Sequence, residues 1–126
     1  MAEVICPANR LREIRPEQLL SGTMEMKKRG FRLAQACAAL VHEMIELSYS
    51  FAHDETYEFE TFRVITDQET EIPSITEIMP AAVFYENEMK ELFGVNIRMI
   101  SLDYEKKLYR IDAESPMAPK KPEEGE

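Results

Sequence analysis

The chain has 126 residues, 44% of them hydrophobic, which suits one globular domain with a modest core. Fifteen Lys and Arg against 24 Asp and Glu leave a net charge of −9, which argues against a binder of nucleic acid or anionic membrane. The longest apolar run, Ala36–Val41, is far below the roughly 18 residues of a membrane span. Met1–Pro7 has neither a basic start nor a long apolar core, so no secretory leader is expected. Cys6 and Cys37 are too few for a disulfide framework and suit a reducing cytosol.

Residues 1–10 read as an irregular lead-in, and Arg12 to Ile14 as the start of a strand that Arg15-Pro16 stops. A helix over 16–29 follows. Glu17 lies in its first turn and Lys27, Lys28 and Arg29 in its last, each sign matching the helix dipole. Leu19, Leu20, Met24 and Met26 supply an apolar side, Gly22 weakens the helix and Gly30 ends it. Residues 31–41 are ambiguous, since the alanines favour helix by propensity. Ile45, Leu47, Tyr49 and Phe51 alternate with Glu46, Ser48 and Ser50, the period of a strand over 44–52. His53-Asp54-Glu55 reads as a turn, and Tyr57–Ile65 as the aromatic, β-branched return strand of a hairpin, 56–66. Phe62 and Val64 are out of phase with Tyr57 and Phe59, which predicts a bulge or a two-faced strand near Thr61.

A polar loop, Thr66–Thr70, leads to a short turn and a helix over 80–93, with Pro80 at its first position and Gly94 just past its end. Stepping 100° per residue places Ala82, Tyr85, Met89 and Leu92 on one face, flanked by Ala81, Phe84 and Phe93, with Asn87 and Lys90 pointing away. The arc from Phe84 to Phe93 spans about 180°, wider than the roughly 100° a surface helix turns to its own core. Glu88 falls inside this arc, either at a rim where it reaches water or opposite a basic residue of a partner, with internal pairing to Arg63 or Arg98 as a third arrangement. Beyond Gly94, Ile97 to Leu102 reads as a strand, Lys106-Lys107 as a turn and Leu108 to Ile111 as a short extended piece. The fold class is therefore α+β. A single domain over 1–111 holds an antiparallel sheet of three or more strands with two main helices packed on it. Residues 112–126, rich in Pro, Lys and Glu, form a flexible, disordered tail.

No catalytic constellation stands out. His42-Glu43-Met44-Ile45-Glu46 lacks the second His of a zinc-protease helix and alternates as a strand. Cys6, Cys37, His42 and His53 show no ligand spacing, and two cysteines cannot hold an iron–sulfur cluster alone. The four glycines are scattered, so no phosphate-cradling loop is present. The aromatics of the hairpin read as sheet core rather than a base-stacking platform, given the acidic charge.

The stretch Ile72–Gly94 carries a family pattern. Pro73-Ser74-Ile75-Thr76-Glu77-Ile78, Pro80-Ala81-Ala82, Tyr85-Glu86, Glu88 and Glu91-Leu92-Phe93-Gly94-Val95 sit in register with a signature of two prolines, a Glu-x-Glu and a Leu-Phe-Gly close. This stretch resembles the 30-kDa subunit of respiratory complex I and its counterpart in Ech-type, energy-converting membrane-bound NiFe hydrogenases. The resemblance implies a strand at 31–41 and no catalytic residue, metal or cofactor in this protein. It implies a hydrophilic scaffold subunit that docks on a large catalytic subunit, with an iron–sulfur small subunit in the same complex. The expected interface is Pro73, Ile75, Thr76, Pro80, Phe84, Tyr85, Glu86, Glu88, Glu91, Leu92, Phe93 and Gly94. The expected location is cytoplasmic, attached peripherally to the inner face of the cell membrane without inserting into it.

The N-terminal half matches the family only in element order. Asn87 stands where respiratory members usually have Arg, the usual His-Pro and double-Arg segment after the Gly is missing, and so is the long C-terminal extension. The stretch Leu108-Tyr109-Arg110-Ile111-Asp112 near the end resembles the small hydrogenase subunit. These departures favour a subunit of a ferredoxin- and proton-linked, ion-translocating hydrogenase complex. The alternatives are the 30-kDa subunit of an NADH:quinone oxidoreductase and a free-standing acidic α+β binding module.

Overall fold

The computed structural model describes residues 9–100 and 115–118. Four strands form the main sheet: β1 (Asn9–Glu13), β2 (Arg32–Val41), β3 (Met44–Ala52) and β4 (Phe59–Thr66), in the order β1-β4-β3-β2. β2, β3 and β4 run antiparallel, as expected from the hairpin pattern, but β1 joins β4 in parallel, so the sheet is mixed. The parallel pairing follows from connectivity: β1 reaches β4 only through α1 and the two hairpin strands, so no tight turn sets their relative direction.

The 31–41 stretch is a strand despite its alanines. Its two-residue connection to β3, His42-Glu43, has positive φ at both positions (49° and 64°), the geometry of a hairpin turn whose twist matches the strands it joins. The neighbouring strand overrides alanine's helix propensity here. His42 and Glu43 are thus exposed turn residues rather than part of a metal-binding helix.

Register puts Ile45, Leu47, Tyr49 and Phe51 of β3 opposite Thr66, Val64, Phe62 and Glu60 of β4, all buried on one face. No register shift occurs near Thr61. The strand is two-faced there instead, with Phe59, Thr61 and Arg63 half-buried on the other side and Tyr57 outside the strand with φ 60°. The irregularity lies in β2, between Leu33 and Gln35.

Both helices cover the buried face. A single 3-10 turn (Pro16–Gln18) opens α1 (Leu19–Lys28). Leu19, Thr23 and Met26 turn inward, and Gly22 lets the helix approach the Phe62 ring, which a Cβ would meet at 2.9 Å. Gly30, with φ 85°, ends this segment. A second, two-stranded parallel sheet pairs β5 (Glu71–Pro73) with β6 (Asn96–Arg98), and α2 (Ala82–Phe93) makes the crossover between them. The strand expected from Ile97 to Leu102 is therefore this short β6 outside the main sheet, with Ser101 and Leu102 beyond the described residues. The turn and extended piece expected over 106–111 also lie outside them. Of the tail, Ser115–Ala118 forms a turn whose Met117 N–H donates to the Leu92 carbonyl at 2.6 Å.

Candidate partner-docking site

The signature stretch is the interior of the β5–α2–β6 unit. Its first part is a tight polar turn. The Ser74 N–H donates to the Arg98 carbonyl at 2.9 Å, tying the turn to β6, and the Ser74 and Thr76 hydroxyls lie 2.7 Å apart. The Ile75 carbonyl accepts from both Ile78 and Met79, so the chain winds one turn before Pro80. The helix proper begins at Ala82, two residues after the position read for Pro80, because Met79 and Pro80 carbonyls take the first amide bonds. Gly94 closes it in the left-handed region (φ 72°), with its N–H on the Lys90 carbonyl.

Beneath this turn lies a buried carboxylate. Glu86 is 0% exposed, and its Oε1 accepts the Ile75 amide at 2.9 Å and the Tyr49 phenol at 3.4 Å. Its Oε2 is buried without a hydrogen-bond partner among the described residues. Burial pushes the Glu86 carboxyl up to about 7, against the opposing pull of the Ile75 amide, the Ser74 hydroxyl and the Tyr49 phenol. Burial, and then the charge and hydrogen bond of Glu86, raise the Tyr49 phenol well above its ordinary value. The cluster pins the sheet, the turn and α2 to one another at a single point. An orphaned oxygen suits a carboxyl that carries a proton near neutral pH.

Of the expected interface residues, Ile75, Thr76, Glu86, Glu91 and Phe93 are buried within the domain. Pro73, Tyr85, Glu88, Leu92 and Gly94 are half-buried, and Pro80 and Phe84 are exposed, Phe84 by 58%. The helix is covered over a wider arc than one stripe, but polar groups fill part of it. Asn87, read as pointing outward, is only 1% exposed and donates from Nδ2 to the Val83 carbonyl at 2.8 Å. The wheel failed at Asn87 because a short amide that bonds its own helix backbone can be buried at little cost. Lys90 is half-buried. Glu88 forms no ion pair among the described residues: Arg63 lies against Glu46 and Arg98 against Glu71.

The accessible part of the stretch falls into two apolar surfaces. One is a cleft of about 530 Å³ where Leu20 and Met24 of α1 face Pro73, Ile78 and Met99, with Glu71, Glu77 and Arg98 also lining it. Met99 is 84% exposed. The other is a narrow groove of about 150 Å³ between α2 and β2, bordered by Ala36, Cys37, Ala38, Tyr85, Glu88, Leu92 and Met117. At the opposite end of the sheet, sequence reasoning missed a charge cluster. Glu60, buried on β4, meets Arg29, just past the end of α1, at 3.3 Å and Arg12 of β1 at 3.6 Å. Only the out-of-phase charge between Phe59 and Phe62 hinted at it. No grouping of three or more His, Cys, Asp or Glu able to hold a metal occurs among the described residues, and no helix there is long and apolar enough to cross a membrane.

The family model described as respiratory-chain NADH dehydrogenase, 30 Kd subunit, matches residues 12–108. An NADH-quinone oxidoreductase subunit of Chelativorans sp. (strain BNC1) is 46% identical over 48 residues, 33% of this chain and 24% of that protein. The match thus spans about a quarter of the curated relative's length. Among solved structures, one polypeptide of the membrane-bound sulfane sulfur reductase, an archaeal respiratory membrane complex, is similar in fold. The TM-score is 0.72 at 22% identity, covering 91% of this chain and 71% of that one. A motif that packs as one β5–α2–β6 unit and a family match from the first strand past the last described one agree: the chain belongs to the family of 30-kDa subunits of respiratory-chain NADH dehydrogenase.

Proposed function

We propose that the protein is an accessory, non-catalytic subunit of a membrane-bound respiratory oxidoreductase complex. In this reading it attaches peripherally on the cytoplasmic side and docks on the large catalytic subunit through the exposed parts of the 72–99 region. The observation that carries the proposal is the family match over residues 12–108. The exposed Met99 beside the signature, with Leu20 and Met24 facing the same cleft, supports a surface that is covered by another subunit. The protein contributes no redox group of its own, and its part in the complex is to hold neighbouring subunits in place.

Within the family, we favour an energy-converting hydrogenase complex. Support comes from Asn87 in place of the usual Arg and from the sequence after Gly94, which lacks the respiratory His-Pro and double-Arg pattern. The name of the curated relative favours a second reading, an NADH:quinone oxidoreductase. The test is purification of the tagged protein from native membranes in mild detergent. Co-elution with a large subunit and iron–sulfur subunits is the expected result, with hydrogen evolution from reduced ferredoxin in the hydrogenase case and NADH:quinone activity in the other. Elution of the protein alone as a monomer would overturn the subunit reading in favour of a free-standing module.

A further inference from the structure

Among the described residues β2 is an edge strand that pairs only with β3. Sheet edges are normally guarded by charge, proline, bulges or short length. After the irregularity at Leu33/Gln35, the run Ala36–Val41 has none of these: it is uncharged, proline-free and in continuous register with β3. The two-residue hairpin makes Val41 and Met44 a hydrogen-bonded pair, so alternate residues, Ala36, Ala38 and Leu40, aim their N–H and C=O groups outward. Two of these three residues border the groove beneath α2.

We propose that this edge takes an extended segment of another subunit as a fifth strand of the main sheet, its inward side chains filling the groove and presenting a basic residue to Glu88. The donor's identity as another subunit rests on the function proposed above. Small side chains at Ala36 and Ala38 leave room for a large incoming one, and Glu88, without an ion pair among the described residues, gives the groove its charge requirement. A second copy fits poorly. Antiparallel self-pairing of β2 offers mainly Ala, Cys, Leu and Val, brings two Glu88 carboxylates towards each other, and adds the repulsion of two molecules of charge −9. The protein's own residues 101–114 are the competing occupant, since they lead to Met117 at the border of the groove, and exchange in the isolated monomer tells them apart from a partner's strand.

The test compares amide hydrogen exchange in the full-length isolated protein with that in the complex recovered from native membranes by a tag on it. Amides of Ala36, Ala38 and Leu40 are expected to exchange at least about tenfold more slowly in the complex, as new ladder bonds form. Ala38→Pro removes one outward N–H and leaves the β3 ladder intact. It is expected to cut recovery of the other subunits about tenfold, whereas Ala38→Ser recovers them as wild type does. Equal exchange in both states, with wild type still co-eluting, would overturn strand addition and leave the subunit reading standing. Amides already slow in the isolated monomer would assign the edge to this protein's own residues and overturn it. So would a dimer of the isolated protein that Ala38→Pro dissociates. Recovery of wild type alone would overturn this proposal and the subunit reading together. If Ala38→Pro fails to fold, the exchange comparison on wild type decides.

Discussion

Glu86 shows how a single residue couples the sheet to the signature turn, and the coupling carries a sign. Its carboxyl titrates near 7 in the folded chain, above the ordinary 4.5, so the folded state holds a proton that the unfolded state has released between those values. Its contribution to stability is therefore fully present below about pH 4.5 and is lost as pH rises through about 7. The shift corresponds to about 3 kcal/mol at most. Denaturant unfolding at pH 5 and pH 8 should show a loss over this range that Glu86→Gln largely removes, because the neutral amide keeps the Ile75 bond without a charge to bury. A slope unchanged in Glu86→Gln would place the titration elsewhere. At Gly94, an added Cβ would meet Ser115 Oγ at 2.9 Å in a backbone region that side chains disfavour. Gly94→Ala is expected to cost about 1–2 kcal/mol in thermal unfolding, and an unshifted melting temperature would count against that geometry.

Among the elements, β1 and α1 are held to β4 by charge as well as by apolar packing. Glu60 lies between Arg12 and Arg29, whose guanidiniums also stack over Phe62 and Phe31 at 5.5 and 4.9 Å. Water reaches both arginines, so they recover solvation when the carboxylate is removed. Glu60→Ala should therefore destabilise by about 1–3 kcal/mol rather than the larger figure for a fully buried pair. Glu60→Met, which fills the volume without charge, should lose less. A loss from Glu60→Met as large as that from Glu60→Ala would mean that the charge pairing, not the packing, fastens β1.

For the whole molecule, one face of the sheet is covered by both helices and the other is half-open. Among the described residues, apolar side chains are exposed at Phe84 in the signature and Met99 beside it, at the end of the β2–β3 hairpin (Leu40, Val41 and Met44), and at scattered positions such as Leu11 and Tyr57. An accessory subunit removed from its complex should carry no stoichiometric iron, nickel or zinc. Metal analysis of the purified, folded protein that finds any of them would overturn the reading of a scaffold without cofactors. The same preparation should bind a hydrophobic dye more strongly than its complex does, because assembly covers these surfaces.

The local alphabet determined much of this protein by itself. Period-two alternation located β3, the dipole-matched charges located α1, and the Pro80…Gly94 punctuation located α2, since each signal acts within one element or at its end. Membership in the family was legible because the signature's offsets match one packed unit. What depended on distant partners was not legible. The strand state of the alanine-rich β2 is open on propensity alone and comes from the family resemblance, while the parallel pairing of β1 and the burial of Asn87 are set by neighbours far along the chain. So is the burial of Glu86 and Glu91 while Glu88 stays only half-buried. A helical wheel ranks positions on one cylinder, but only the tertiary structure brought the Ile75 amide and the Tyr49 phenol to the oxygen that makes burying Glu86 tolerable.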